Sequence, residues 1–107
     1  MNNDWFYDIL RFCNYVWNLY DMSIWEDGDY KYLKYHLDDI IGGEDTYSSN
    51  EIANEYILKK SYNLLDIINR DVSKEHIHSY IKSMKDEWAD IVYCYNLVKF
   101  ERSKENE

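Results

Sequence analysis

The 107-residue chain contains no proline and only three glycines. Proline ends or kinks a helix because it lacks a backbone N–H and its ring clashes with the preceding turn. The composition therefore favours long, uninterrupted helices. No apolar run approaches the roughly 20 residues that span a membrane. The acidic N-terminus MNNDWFYD also lacks the basic start and apolar run of a signal peptide. We therefore expect one cytoplasmic domain.

Cysteine is scarce as well. Cys13 and Cys94 lie far apart and belong to no paired motif. Each falls within an apolar helical pattern, so we expect two small buried side chains with free thiols, as in a reducing compartment. A disulfide that joins the first and last helices is the alternative.

The spacings that metal and catalytic sites require are also missing. His76 and His78 lie two residues apart, which on a helix directs them about 200° apart, and His36 stands alone. We recognise no two Glu-x-x-His motifs, which a diiron bundle requires, no calcium-binding loop and no phosphate-binding glycine loop. No cysteine or serine has a histidine in a catalytic arrangement. We therefore expect no metal, no cofactor and no enzymatic activity.

Basic residues are few in the N-terminal half. Residues 1–58 carry twelve acidic and three basic side chains, a net charge of −9, whereas residues 59–107 carry nine of each. Nucleic acid and anionic membranes would be repelled by the acidic half, so neither is expected as a direct ligand. The asymmetry favours a basic protein as the partner.

Apolar residues recur at steps of three and four along most of the chain, which is the spacing of amphipathic helices. The pattern predicts four helices with short connections, and no segment is predicted as a strand. We therefore expect an all-α fold, a compact antiparallel four-helix bundle. The predicted helices span about 4–22, 30–41, 49–68 and 74–100, and a polar tail, 101–107, follows them.

Signals at the helix ends support these boundaries. Gly42 and Gly43 are expected to end the second helix, because glycine adopts the left-handed terminating conformation. Ser48, three residues before Glu51, has the spacing of a capping box at the start of the third helix. Ser73 is a favourable N-cap for the fourth helix.

The first and fourth predicted helices differ in their expected roles. The fourth is the longest, and its apolar repeat continues over nearly six turns, so we expect it to be the spine of the bundle. The first has a wide apolar arc, typical of a helix that is central or partly in an interface. Trp25 falls in the polar link 23–28, and we interpret it as a lid on the core rather than as a contact residue.

The stretch Tyr35–Glu55 combines dense negative charge with a break in helical structure. It holds six carboxylates, and no base occurs between Lys34 and Lys59. Tyrosine suits protein interfaces because it buries a large area and keeps a polar group. We expect a partner-binding surface with charge from Asp38, Asp39, Glu44 and Asp45 and aromatic anchors from Tyr35 and Tyr47. The alternative is a solvated acidic face, with the tyrosines filling the core.

The segment LDDIIGGEDTYSSNEIANE is an acid- and tyrosine-bearing loop between two helices. With the small size, acidity and helical pattern of the chain, it resembles the bacterial immunity proteins of nuclease bacteriocins and of contact-dependent growth inhibition systems. The resemblance implies an antitoxin that binds and neutralises a basic toxin domain, often a nuclease, as a monomer in a 1:1 complex. It is a resemblance of overall character and transfers no family site.

Two alternative functions use the same features differently. A phage or plasmid nucleic-acid mimic would inhibit a host restriction or CRISPR enzyme through the same acidic chemistry, although the neutral C-terminal half argues against an elongated mimic. A helical adaptor subunit would use the wide apolar arc of the first helix to oligomerise.

Overall fold

The computed structural model describes residues 5–43, 48–70 and 72–105, and each regular element within these ranges is an α-helix. The helices are α1 (Trp5–Glu26), α2 (Lys31–Ile41), α3 (Glu51–Asn69) and α4 (Lys74–Glu105). The predicted all-α fold is therefore confirmed. Within the described ranges, no helix is both long enough and apolar enough to cross a membrane.

The α1 and α4 helices run antiparallel along one another. Near the start of α1, the rings of Phe6 and Tyr95 lie 5.4 Å apart between centroids. In the second half of α1, Trp17 meets His78, at the start of α4, with centroids 5.2 Å apart. The last helix therefore runs back along the first in the opposite direction, as expected of an up-and-down bundle.

The α1 helix lies at the centre of the bundle and packs against each of the other three helices. Its buried positions recur at three- and four-residue steps and are Ile9, Phe12, Cys13, Val16, Leu19, Tyr20 and Ser23. The wide apolar arc of this helix is therefore explained by its central position. Similar steps bury Leu33, Leu37 and Ile40 in α2, and Ala53, Ile57, Ser61, Leu64 and Ile68 in α3.

The prediction that the fourth helix is the spine is wrong. Along the described residues, α4 packs mainly on α1, touches α3 at few positions and does not contact α2. Its regularly buried positions end at Val92, and Tyr93, Leu97 and Val98 are exposed. An apolar repeat identifies the buried face of a helix, but it does not say how many neighbours share that face.

The α4 helix is also longer than predicted. It continues through five residues of the expected polar tail to Glu105. Tyr7, in the first turn of α1, hydrogen-bonds to Asn96, so the following turns of α4 extend beyond the start of α1. The segment after Phe100 contains lysine, arginine and glutamate, which are good helix formers, and no glycine or proline that would end the helix.

The helix ends match the predicted signals in two of three cases. Gly42 donates its N–H to the carbonyl of Asp38, and Gly43 has a left-handed backbone with φ of 79°, which ends α2 as expected. Ser73 Oγ accepts the N–H of His76 at 3.2 Å, as expected for an N-cap.

The predicted capping box before α3 is wrong. Asn50 is the N-cap, and its side chain accepts the N–H of Ala53 at 3.1 Å. Ser48 Oγ instead accepts the N–H of Asn50 at 3.0 Å. Asparagine caps at least as well as serine, so the residue adjacent to the helix takes the role.

The two cysteines have different environments, and the prediction that both are buried is wrong for Cys94. Cys13 is buried in the core, Cys94 is exposed, and both thiols are free. Cys94 lies two residues after buried Val92, which turns it about 200° around the helix from that position. Burial raises the pKa of the Cys13 thiol to about 12, and the negative charge of Glu87 adds to the shift.

We expect one thiol, that of Cys94, to react with Ellman's reagent in the native protein at pH 8. The thiolate is the reactive species, and the raised pKa keeps Cys13 protonated as well as buried. Both thiols should react after unfolding in guanidinium. The Cys94→Ser variant is the control and should show no native reaction. A native reaction of that variant at the wild-type rate would contradict the buried position of Cys13.

Truncation of the central core should have a large effect on stability. We expect Phe12→Ala to lower the free energy of unfolding by about 3–5 kcal/mol, because Phe12 is fully buried and its loss leaves a cavity. Asn14→Ala, at an exposed position of the same helix, should change it by less than about 0.5 kcal/mol. Urea unfolding followed by circular dichroism measures both, and equal small effects would contradict the central place of α1.

Candidate protein-binding surface

The outer face of α2 carries tyrosine and carboxylate side chains together. Tyr32, Tyr35 and Asp38 follow one another at three-residue steps and are all exposed. Tyr35 is 64% exposed, so its ring does not fill the core. Because positions three residues apart lie on neighbouring points of a helix surface, these side chains form one polar–aromatic stripe.

The neighbouring helix continues this chemistry. The α3 helix packs against α2, and its exposed positions also recur at three- and four-residue steps. They are Glu51, Glu55, Leu58, Tyr62 and Asp66. Two adjacent helices therefore present carboxylates mixed with aromatic and aliphatic side chains, a composition that suits a protein interface with electrostatic selectivity.

The predicted site residues divide into two groups. Tyr35 and Asp38 are exposed on α2, and Asp39 beside them is half-buried. The other three predicted residues, Glu44, Asp45 and Tyr47, lie outside the described residues. The structure therefore brings together the α2 half of the predicted surface. The assignment of all six to partner binding stays a prediction.

The corner between α1 and α2 is organised by Ser23, whose side chain is fully buried. Its carbonyl oxygen accepts the N–H groups of Asp27 at 3.1 Å and of Gly28 at 2.6 Å. Its hydroxyl oxygen accepts the N–H of Leu33, in the first turn of α2, at 3.2 Å. One residue thus ends α1 and holds the start of α2 against it.

Tyr30 occupies a strained position in the same corner. Its φ of 63° and ψ of 24° are left-handed, a conformation that costs a side-chain-bearing residue about 1–2 kcal/mol. Its ring stacks on Tyr20 at a centroid distance of 5.9 Å and an interplanar angle of 11°. Burial raises the pKa of the Tyr30 hydroxyl. Packing therefore holds a backbone geometry that Tyr30 would not adopt alone.

Trp25 lies on the outside of this corner, and its interpretation as a lid on the core is wrong. It belongs to the last turn of α1 and is 81% exposed, more than any other large apolar side chain in the part of the chain that the structure describes. The predicted first helix ends at Met22, which leaves Trp25 in a loop. Because α1 continues to Glu26, its register places Trp25 about 200° around the helix from buried Ser23.

Four carboxylates lie within four residues of Trp25. No lysine or arginine occurs between Phe12 and Tyr30, and none of the four forms an ion pair with a described residue. The four are Asp21, Glu26, Asp27 and Asp29, all exposed. The corner therefore combines a protruding indole with unbalanced negative charge.

A separate groove of about 320 Å³ lies between α3 and α4. The ammonium group of Lys60 lies over two rings there, 5.4 Å from the centroid of Tyr56 and 5.6 Å from that of Tyr80. His76 and Ser79 line the same groove, but no hydrogen bond joins their side chains in the described structure. Among the described residues, no group of three or more histidine, cysteine or acidic side chains is placed to hold a metal ion.

The chain matches no protein-family model, no curated protein sequence and no solved structure. The assignment of its function therefore depends on the chemistry and placement of its own residues.

We expect Ser23→Ala to lower the free energy of unfolding by about 1–3 kcal/mol, because it leaves the buried N–H of Leu33 without its acceptor. Ser83→Ala, at an exposed position of α4, is the matched control and should change stability by less than about 0.5 kcal/mol. Urea unfolding measures both. Wild-type stability of Ser23→Ala would show that the corner does not depend on this hydroxyl.

Proposed function

We propose that the protein is an immunity protein that binds and neutralises a basic toxin domain, a nuclease, in the cytoplasm. It acts as a monomer in a 1:1 complex. The observation that carries the proposal is the outer face of α2, where exposed Tyr35 and Tyr32 adjoin exposed Asp38. The resemblance of the acidic segment and of the whole chain to bacterial immunity proteins supports the same function.

The charge distribution fits this role. A nuclease needs a basic cleft to bind phosphate, and a carboxylate surface is complementary to that cleft. Such complementarity raises association rates to the order of 10⁸ M⁻¹s⁻¹ at low salt. The acidic excess is confined to residues 1–58, so attraction favours the region formed by α1, α2 and the start of α3 over α4.

The exposed tyrosines fit the second requirement of a neutraliser, slow dissociation. A tyrosine ring buries a large apolar area and has only two side-chain torsions to immobilise. Tyr35 already lies outside the core, so it can enter an interface without unfolding the bundle.

The two alternative functions are a helical adaptor subunit and a nucleic-acid mimic. The adaptor hypothesis depends on the wide apolar arc of the first helix, and the side chains of that arc are buried or partly buried against the core of the bundle. A nucleic-acid mimic would use the same carboxylates, and the test below distinguishes it because its target is a DNA-binding host enzyme.

The test begins with co-expression. The protein should restore growth to cells that produce the toxin domain encoded beside its gene, and the purified pair should form a 1:1 complex. We expect the double variant Asp38→Lys with Asp39→Lys to weaken binding by about 100-fold or more, roughly 2.7 kcal/mol. It should also flatten the dependence of the association rate on salt, because that dependence reports the attraction between opposite charges.

The matched control is Asp90→Lys with Glu101→Lys, which makes the same charge change at two exposed positions of α4. It should leave affinity within a few fold of wild type. Equal losses in the two double variants would indicate a general charge effect rather than a surface on α2. Binding to a DNA-processing host enzyme, in competition with DNA and without toxin rescue, would favour the mimic.

A further inference from the structure

We propose that Trp25 is the principal anchor of the partner interface and inserts into an apolar pocket with a basic rim on the partner protein. This inference rests on the proposed function, because the partner is the same basic toxin domain. It adds a second contact region, which we call the Trp25 corner: Met22, Trp25, Glu26, Asp27 and Asp29.

Among the described residues, Trp25 takes no part in the hydrophobic core. The same helical register that buries Ser23 directs Trp25 away from the core. Met22, one turn earlier on the same side, is 47% exposed. Tryptophan is highly buried on average, and tryptophan is among the residues most enriched at energetic hot spots of protein interfaces. The indole and the adjacent thioether therefore form an apolar protrusion that suits a pocket.

Hydrogen bonds and a ring stack hold the backbone on both sides of the Trp25 corner. The carbonyl of Ser23 accepts two N–H groups that end α1, and its hydroxyl ties this end to Leu33. The stacked Tyr30 fixes the chain as it enters α2. A side chain displayed on a fixed backbone loses less conformational entropy on association, so more of the apolar burial contributes to affinity.

The charges around Trp25 specify the rim of the partner pocket. Glu26 and Asp27 are exposed and form no ion pair with a described residue. A neutral or acidic rim would leave these carboxylates facing like charge or apolar surface, which is unfavourable. A pocket with lysine or arginine at its edge pairs with them while the indole fills its centre.

The Trp25 corner and the face of α2 fit within one footprint. A standard interface buries about 800 Å² on each partner, which is roughly 30 Å across. The α2 helix has 11 residues and is therefore roughly 16 Å long. The hydrogen bond from Leu33 to Ser23 holds its first turn against the last part of α1. The Trp25 corner and the outer face of α2 therefore lie close enough for a single partner domain to reach both.

The experiment measures binding kinetics of full-length variants with the purified catalytic domain of the toxin encoded beside the gene. We expect Trp25→Ala to raise the Kd by roughly 50-fold or more, chiefly through faster dissociation, because a hot-spot side chain is lost. Trp25→Phe should recover part of the loss. Glu26→Gln with Asp27→Asn should instead slow association by about 3-fold or more and reduce its salt dependence.

The matched control is Tyr93→Ala, which removes a ring that is 68% exposed on α4 and should change the Kd by less than about 3-fold. Urea unfolding of Trp25→Ala should match wild type, so that a binding loss does not reflect unfolding.

Two results would overturn the inference, and they have different consequences. If Trp25→Ala binds like wild type while Asp38→Lys with Asp39→Lys fails to bind, the anchor role is wrong and the proposed function stands. If the wild-type protein does not bind the toxin domain, the proposed function is wrong and the anchor role falls with it.

Discussion

The packing of α1 against the other three helices is the constraint on which the rest of the structure depends. Its buried positions step by three and four from Ile9 to Ser23. The directions of the side chains along a helix are fixed relative to one another. The orientation of α1 that buries Ser23 therefore also turns Trp25 outward. The core and the most exposed aromatic side chain are thus two consequences of one helical register.

The surface chemistry follows from the same arrangement. The α2 and α3 helices bury their apolar stripes and leave Tyr35, Asp38 and Glu55 at exposed positions. Asp38 and Glu55 lie in the acidic half of the chain, whereas the neutral half supplies all of α4. Exposed carboxylate and tyrosine side chains therefore occur together on α2, whose first turn is held at the corner by Ser23. That combination is suited to attracting a basic protein and then holding it.

Sequence periodicity was sufficient to predict the number of helices, their order and most of their ends. It did not predict the outward position of Trp25, because the polar residues after Met22 indicate a loop, whereas α1 continues to Glu26. It misplaced Cys94 because the apolar helical pattern around it suggested burial, whereas Val92 is the last residue of α4 that is buried in the described part of the chain. Of the predicted site, Tyr35, Asp38 and Asp39 fall on α2, and the remaining three residues lie outside the described part of the chain.

The sequence by itself determined that this protein is helical and that its negative charge is confined to one half, because both properties are local and additive along the chain. Only the tertiary structure decided which helix is central, since an apolar stripe does not identify the helix that will cover it. It also decided that Tyr30 adopts a left-handed conformation, because stacking on Tyr20 outweighs a local preference. The stretch Tyr35–Glu55 was recognisable from its charge, whereas the Trp25 corner became recognisable only from its place in the fold.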